Sequence, residues 1–397
     1  MKYKVLAIVL AICLLASLGY IVKIKLFSKG GPEPEAAIKL GVFEALTGKN
    51  GIGGRRELDG IKYANQVKPA VRIGDREYKV ELVVSDNKSD RNEAVYAAQS
   101  LVDQGVIAVI GSYGSGPSIT GGDVFRKAET PAIGASCTNP KVTLGNEYYF
   151  RVCCLDPFQG TVMATHAVQS GAKTVGILTE AGSEYSEGLG SFFANAFREV
   201  SPDSNPVVSL QSYNRDQRDF SEIMRNFKAA GPDVIFAPSS VEAAPLIIRQ
   251  ARASGVTAKL MGGDAWDDVT VIDEAGRDAE GITLSSFFDV NLADSSRAAR
   301  DFVRGFGRYL AEAGKDPDIA GVSALGYDAY MVLLDAISRA GSTDGTAIRD
   351  AIAATEGFNG VTGIISFDKN GDVKKSTATI KTVKDGRFVF LKTVSVG

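Results

Sequence analysis

The sequence predicts an α/β fold of two Rossmann-like lobes, each a parallel sheet covered by helices, with a crevice between them. Three observations carry this. From Ile38 onwards short β-branched or apolar runs alternate with longer amphipathic stretches; an extended run ending in proline, Tyr148 to Pro157 (YYFRVCCLDP), divides that alternation after four strands; and after Ala320 the order changes to two helices and a β-hairpin. At 397 residues, 45% hydrophobic and 23% charged, the chain has globular composition and length for two or three domains.

The first element is Val5 to Val22 (VLAIVLAICLLASLGYIV), uncharged and mostly apolar, between Lys2 and Lys4 on one side and Lys23, Lys25 and Lys29 on the other. That length suits either the apolar region of a signal peptide or one short membrane span. The run continues past Ser17 and Gly19, where cleavage before Tyr20 would fall, so residues 1–30 are read as a signal or anchor segment that stays on the chain. Cys13 invites a lipid-attachment reading, but Ile12 stands where such a site needs a small residue. Lysines flank both ends, so the positive-inside rule gives no orientation. With four residues before the run, the folded part is expected on the far side of the membrane. Residues 31–37 read as a Pro, Gly and Glu spacer.

Strands are predicted at Ile38 to Leu46, Lys79 to Asp86, Val106 to Ile110, Pro131 to Ser136, Thr174 to Thr179, Val234 to Ala237, Leu260 to Gly262 and Ile282 to Phe287. Helices follow from apolar residues spaced by three and four: Asn92 to Gln104, Phe158 to Ser170, Glu184 to Val200, Phe220 to Ala230, Val241 to Ser254 and Arg297 to Ala313. Ser323 to Arg339 and Thr346 to Thr355 are the two late helices. The hairpin is placed at Ile364 to Phe367, the turn Asp368 to Asp372 (DKNGD) and strands running to Lys392. DKNGD looks like the start of a calcium loop, but the twelve-position ligand set ending in Glu does not follow. Asn370-Gly371 between apolar runs is instead a hairpin signal.

Composition narrows the function. Without the five N-terminal lysines, 39 Lys and Arg face 47 Asp and Glu, a net charge of −8 and the wrong sign for a nucleic-acid binder. Cys153 and Cys154 are adjacent and cannot bridge without strain, and Cys137 has no obvious partner, so the cysteines read as small buried residues. His166, the one histidine, lies in TVMATHAV without an acid or cysteine at metal spacing and reads as a surface or packed residue. No nucleophile elbow, Cys-x-x-Cys, His-Glu-x-x-His or early Gly-x-Gly-x-x-Gly occurs. A pair of catalytic acids stays open, but neither an enzyme nor a cofactor nor a metal is expected.

In open α/β sheets ligands bind at the carboxyl ends of strands, so those ends are where binding residues belong. The third strand delivers GSYGSGPS, Gly111 to Ser118, which has P-loop spacing with Pro117 at the lysine position. Proline suits the first turn of a helix, leaving free N–H groups near Ser115, and without the lysine one carboxylate fits better than a triphosphate. The fourth strand delivers Ser136, Cys137 and Thr138. Past the break, strand ends supply Tyr185, Ser239 with Ser240, and Gly263-Asp264-Ala265-Trp266. An acid facing an anion site is what a zwitterion requires.

Taken together the chain resembles the type I periplasmic solute-binding proteins of the branched-chain amino-acid class, receptors that feed ABC importers for leucine, isoleucine and valine. The likeness runs from Ile38 to about Lys392. It is carried by GVFEALTGKNG (41–51), VVSDNKSD (83–90), AVIGSYGS (108–115), PAIGASCTNPKVT (131–143), YFRVCCLDPFQG (149–160), EYSEGLG (184–190), DFSEIM (219–224), LIIRQARASG (246–255) and ALGYDAY (324–330). The resemblance implies one lobe of residues 38–155 plus 288–362 and a second of 156–287 plus 363–397, joined by three hinge crossings near Leu155, Phe288 and Gly363. It implies that Ser115, Ser136 and Thr138 hold a ligand carboxylate, with Cys137 between the last two. The ammonium would meet the Ser136 carbonyl, the Thr138 hydroxyl and Asp264, under a cover of Tyr185.

Departures fall where the ligand's side chain would lie. Gly53 and Gly54 stand where members often present an aromatic ring, Ser240 where some have tyrosine; Tyr113, beside Gly114, is bulkier than usual, and Trp266 is placed to fill space. A larger, more polar or non-amino-acid ligand is therefore open. The expected function is an exported protein, in the periplasm or at the outer face of the membrane and anchored through residues 5–22, that delivers an amino acid to ABC permease subunits. The alternatives are a ligand-sensing ectodomain or a binder of amides, urea or aromatic acids.

Overall fold

The computed structural model describes residues 36–395. β1 (Ala37–Glu44) is buried without a break from Leu40 to its end, as a strand covered on both faces must be. After it come α1 (Gly51–Val67), β2 (Ala70–Ile73), β3 (Arg76–Asp86), α2 (Arg91–Asp103), β4 (Ala108–Ile110), α3 (Ser115–Lys127), β5 (Ala132–Gly134) and β6 (Tyr149–Arg151). These strands form one sheet in the order β2, β3, β1, β4, β5, β6. β1, β4, β5 and β6 run parallel, and β2 with β3 is antiparallel. Helices α1 and α2 flank the sheet from opposite cores.

The second sheet is built from α4 (Asp156–Gln169), β7 (Val175–Glu180), α5 (Glu184–Val200), β8 (Val207–Tyr213), α6 (Ser221–Ala230), β9 (Val234–Phe236), α7 (Ala244–Ala253), β10 (Lys259–Gly262), α8 (Val269–Ala275) and β11 (Thr283–Ser286). The chain then forms α9 (Arg297–Glu312), α10 (Gly321–Ala340), α11 (Gly345–Ala353), β12 (Phe358–Gly360), β13 (Gly363–Ile365), β14 (Thr377–Lys384) and β15 (Arg387–Ser395). The strand order is β15, β14, β11, β10, β9, β7, β8, parallel from β8 to β11 and antiparallel across β14 and β15. Apolar faces of α10 and α11 join the core of the first sheet, while α4 with α5 and α6 with α7 and α8 bury two cores against the second.

Strand order places the site. In the first sheet the chain passes from β1 to β3 on one side and to β4 on the other, so a topological switch lies between β1 and β4. In the second it lies between β7 and β9. Crevices form at the carboxyl ends of such strands, because the following loops diverge there.

All eight predicted strands are present. The sequence reading omitted β2 and β8, which lie at sheet edges and keep partly exposed residues along their length. It also omitted α1, whose GIGG start reads as a loop; the helix is held by packing on α10, close enough that a Cβ at Gly60 would strike the Ser323 carbonyl at 1.9 Å.

The third crossing needs correction. Gly363 is not where the chain leaves the first sheet: β13 pairs with β12, and Ile365 and Val373 lie in the first sheet's core. The DKNGD turn forms, with the Asp368 N–H on the Asp372 carbonyl at 2.8 Å and a Phe367–Val373 bridge beside it. Asp372 then accepts from Nε of the fully buried Arg151 at 2.6 Å. The remaining arms of Arg151 donate to the carbonyls of Cys137 and Asn139, at 2.8 and 2.5 Å, and to Thr143 Oγ1 at 3.0 Å. That clamp holds the loop after β5 and carries the crossing past Val373, before β14.

Cys137, Cys153 and Cys154 are buried free thiols. His166 is packed rather than exposed, and burial pushes it down to about 4. Among the described residues no helix is long and apolar enough to cross a membrane, and no group of His, Cys, Asp and Glu is placed to hold a metal. Residues 5–22, with Cys13, lie outside the described residues.

Candidate functional site

The two switch points face each other across a cleft of about 530 Å³, within the ordinary size range of small-molecule sites. Lys49, Asn50, Tyr113, Gly114, Ser115 and Ser136 line it from the first sheet; Glu180, Tyr185, Ser240 and Asp264 line it from the second.

On the first wall α3 begins at Ser115. Its N-cap is Gly114, which has no side chain to bond the first turn, and whose φ of 102° suits glycine. Pro117 brings no N–H, so the N–H groups of Ser115 and Gly116 stand at the helix start, where the dipole favours an anion. Ser115 Oγ accepts the Asn139 N–H at 3.1 Å, which leaves its hydroxyl proton available to a ligand. The start of α3, where GSYGSGPS predicts an anion site, thus presents hydrogen-bond donors to the cleft.

Asp264 stands on the opposite wall. Its Oδ1 accepts from Gln159 Nε2 at 2.8 Å and from the Tyr185 hydroxyl at 3.0 Å; Oδ2 has no protein partner among the described residues. Gln159 is itself fixed, accepting the Asp264 N–H at 3.0 Å and the Ser285 hydroxyl at 2.6 Å. Burial pushes the Asp264 carboxyl up to about 6, against the pull of those two donors.

Ser136 lines the cleft, but its hydroxyl donates to Glu57, a buried acid of α1. Thr138 is fully buried, and its hydroxyl lies beside the buried Asp156 carboxyl. Burial pushes Asp156 up to about 8.

Four expected residues fall elsewhere, among them Thr138, which is fully buried and does not line the cleft. The Cys137 side chain packs in the core with Phe43, Phe125 and Tyr149, because successive residues leaving β5 point to opposite sides. Trp266 is fully buried; its ring lies against Gly262 and its Nε1 donates to Ser239 Oγ at 2.9 Å, so it supports the Asp264 loop from behind. Gly53 sits under the Tyr113 ring rather than on the cleft wall. Ser240 reaches the cleft while its Oγ accepts the Ala243 N–H at 3.3 Å.

The sequence reading missed Gln159, Glu44 and Glu57. Gln159 was visible in CCLDPFQG as a polar residue one turn into α4, and Glu44 as a lone acid inside an apolar strand.

Ion pairs close the outer cleft. Lys49 pairs with Glu180 and Arg91 with Glu184, while Arg56 reaches Asp268 at 3.2 Å and Arg215 reaches Asp90 at 3.8 Å. Each joins a residue of the first-sheet half to one of the second.

Two sheets whose switch points meet across such a cleft, donors on one wall and a carboxylate on the other, define a two-lobed solute-binding fold. The chain belongs to the Periplasmic binding protein family, whose pattern matches residues 37–387. It is similar to the crystal structure of a leucine-binding protein from Thermotoga maritima, with 36% identity, a TM-score of 0.83, and 90% of this chain and 99% of that one covered. A branched-chain amino-acid transporter substrate-binding protein from Streptococcus pneumoniae, solved with isoleucine, matches at 27% identity and a TM-score of 0.81, over 91% of this chain and all of that one. A Leu/Ile/Val-binding protein homologue of Brucella melitensis biotype 1 is 26% identical over 90% of this chain and 94% of its own.

Proposed function

We propose that the protein captures a small L-α-amino acid, branched-chain or of similar size, and hands it to the permease subunits of an ABC importer. The observation that carries this reading is the polarity of the cleft: a free hydroxyl proton and helix N–H groups at Ser115, and an unshared carboxylate oxygen on Asp264 opposite. That arrangement fits a carboxylate and an ammonium on one carbon. Apolar contact for a side chain comes from Tyr113, Tyr185, Pro117 and Val95. The names of the leucine- and isoleucine-binding relatives point to the same class of ligand.

In this reading the two sheet-centred halves are rigid lobes. They hinge near Leu155, near Phe288 and between Val373 and Thr377, and they close because the ligand touches both walls only when shut. Micromolar affinity, about −8 kcal/mol, is in range for one charge-paired buried solute. Residues 5–22 would anchor the protein at the outer face of the membrane. Binding without turnover accounts for the site, since Asp264 is held by two donors for a charge rather than beside a nucleophile.

Thermal unfolding against L-amino acids, small amides, urea and aromatic acids tests this. A ligand at 100 times its Kd stabilises by about 2.7 kcal/mol. Stabilisation by an amide or an aromatic acid, with none from any α-amino acid, would overturn the proposal.

A further inference from the structure

Two buried acids that the binding site leaves unused stand behind Ser136 and Tyr113. Glu57, in α1, accepts the Ser136 hydroxyl proton on Oε2, and Glu44, the last residue of β1, accepts the Tyr113 N–H on Oε2 at 2.8 Å. Both carboxyl groups are fully buried. Their other oxygens, Glu44 Oε1 and Glu57 Oε1, have no other hydrogen-bond partner among the described residues, and the two side chains meet each other. No cation pairs with either acid among the described residues.

Two touching carboxylates shielded from water and from cations do not both ionise. A proton shared between them would leave the pair with a single negative charge. The proton of Ser136 is then committed to Glu57, so its hydroxyl oxygen can only accept from the cleft. Ser115 is the reverse, its oxygen taken by Asn139 and its proton free. Two serines that look equivalent in the sequence thus have opposite polarity.

We propose that the Glu44–Glu57 pair, sharing one proton, is a positioning element that turns Ser136 into an acceptor for the ligand's α-ammonium group alongside Asp264. It thereby lets the site distinguish an α-amino acid from the same acid without its amine. The inference rests on the amino-acid reading of the cleft.

Glutamine separates this role from simple packing. In Glu44→Gln or Glu57→Gln the amide N–H₂ takes the place of the shared proton, its oxygen still accepts from Tyr113 or Ser136, and one carboxylate remains. In the double variant the charge is gone, and one amide N–H₂ must face either the Ser136 hydroxyl or the Tyr113 N–H, both of which need an acceptor.

The test is titration calorimetry on the full chain in detergent. The probes are L-leucine, L-threonine and L-glutamine, each matched with its des-amino acid: 4-methylpentanoate, 3-hydroxybutanoate and 4-carbamoylbutanoate. The ratio of amino-acid to des-amino affinity should be recovered by each single glutamine variant. It should fall about tenfold or more in the double variant, the scale of a lost hydrogen bond to a charged group, with des-amino affinity unchanged or higher. Equal loss for both members of a probe pair, an unchanged ratio in the double variant, or single variants as impaired as the double would each overturn the proposal. If the double variant does not fold, Ser136→Ala carries the test: a reduced ratio supports the acceptor role and an unchanged one overturns it. Should the wild type bind none of the three amino acids, the amino-acid reading falls and this inference with it; a wild type that binds one of them while the ratio survives substitution sinks the inference alone.

Discussion

The ring of Tyr113 occupies the space that Gly53 leaves open: a Cβ on residue 53 would stand 2.3 Å from Tyr113 Cζ. The ring of Tyr113 enters the cleft from the loop after β4, and it fits there because residue 53, on α1, has no side chain. Tyr113 thus gives the cleft an aromatic wall.

Because helix α1 is packed on α10, the ring must move if residue 53 gains a side chain. Gly53→Ala is expected to cost about 1–3 kcal/mol by overpacking and to weaken binding of the amino-acid ligand. Adding Tyr113→Ala should return most of the stability but not the affinity. Chemical denaturation and calorimetry on the single and double variants check this; additive stability losses would mean that the two residues are not coupled.

Asp372 and Arg151 form the second relationship on which the site depends. Asp372→Ala leaves a fully buried guanidinium without its counter-ion, and losing one partner of such a pair costs about 3–5 kcal/mol. Arg151 also holds the carbonyls of Cys137 and Asn139, so affinity should fall together with stability. Urea unfolding measures the first effect. A loss below about 1 kcal/mol, the level of an exposed pair, would contradict the clamp.

The sequence showed the fold well because its central strands are buried runs and its helices keep a regular apolar stripe. Ser115, Tyr185 and Asp264 line the cleft, and their place was legible because each follows a strand at a sheet's carboxyl end. What it hid depends on direction. Nothing local tells that Ser136 donates backwards to Glu57, that Cys137 turns into the core, or that Trp266 lies behind its loop. The true third crossing was hidden for the same reason, since Arg151 and Asp372 are far apart in the chain and meet only through tertiary packing.

Asp264 gives binding a pH dependence of definite sign. An ammonium group binds the ionised carboxylate, and burial has raised this one to about 6. Affinity for the amino-acid ligand should therefore hold above pH 6 and fall below it, about tenfold per unit once protonation dominates. Asp264→Ala should cost about 2–5 kcal/mol in amino-acid binding and little for the matching des-amino acid. Titrations at pH 5 and 7.5 decide it, and equal loss for both ligands would remove the ammonium assignment.

Stability of the ligand-free protein should decline from pH 5 to pH 8. Burial raises Asp156 to about 8, Glu57 and Glu242 to about 7, and Asp264 and Asp318 to about 6. Each holds its proton in the folded state at pH values where the unfolded chain has released it, so its contribution is full below the unfolded value and is lost as pH rises through the folded one. His166 works the other way, since its lowered value of about 4 makes the folded state more stable as pH climbs towards 6.5. One histidine is outnumbered by five acids, and its window closes before theirs. Asp156 reaches the highest value of the five, so Asp156→Asn should raise Tm at pH 8 and change it little at pH 4.5. Thermal melts of both proteins across that range test the assignment, and a Tm gain equal at both ends would show that the effect is packing and not protonation.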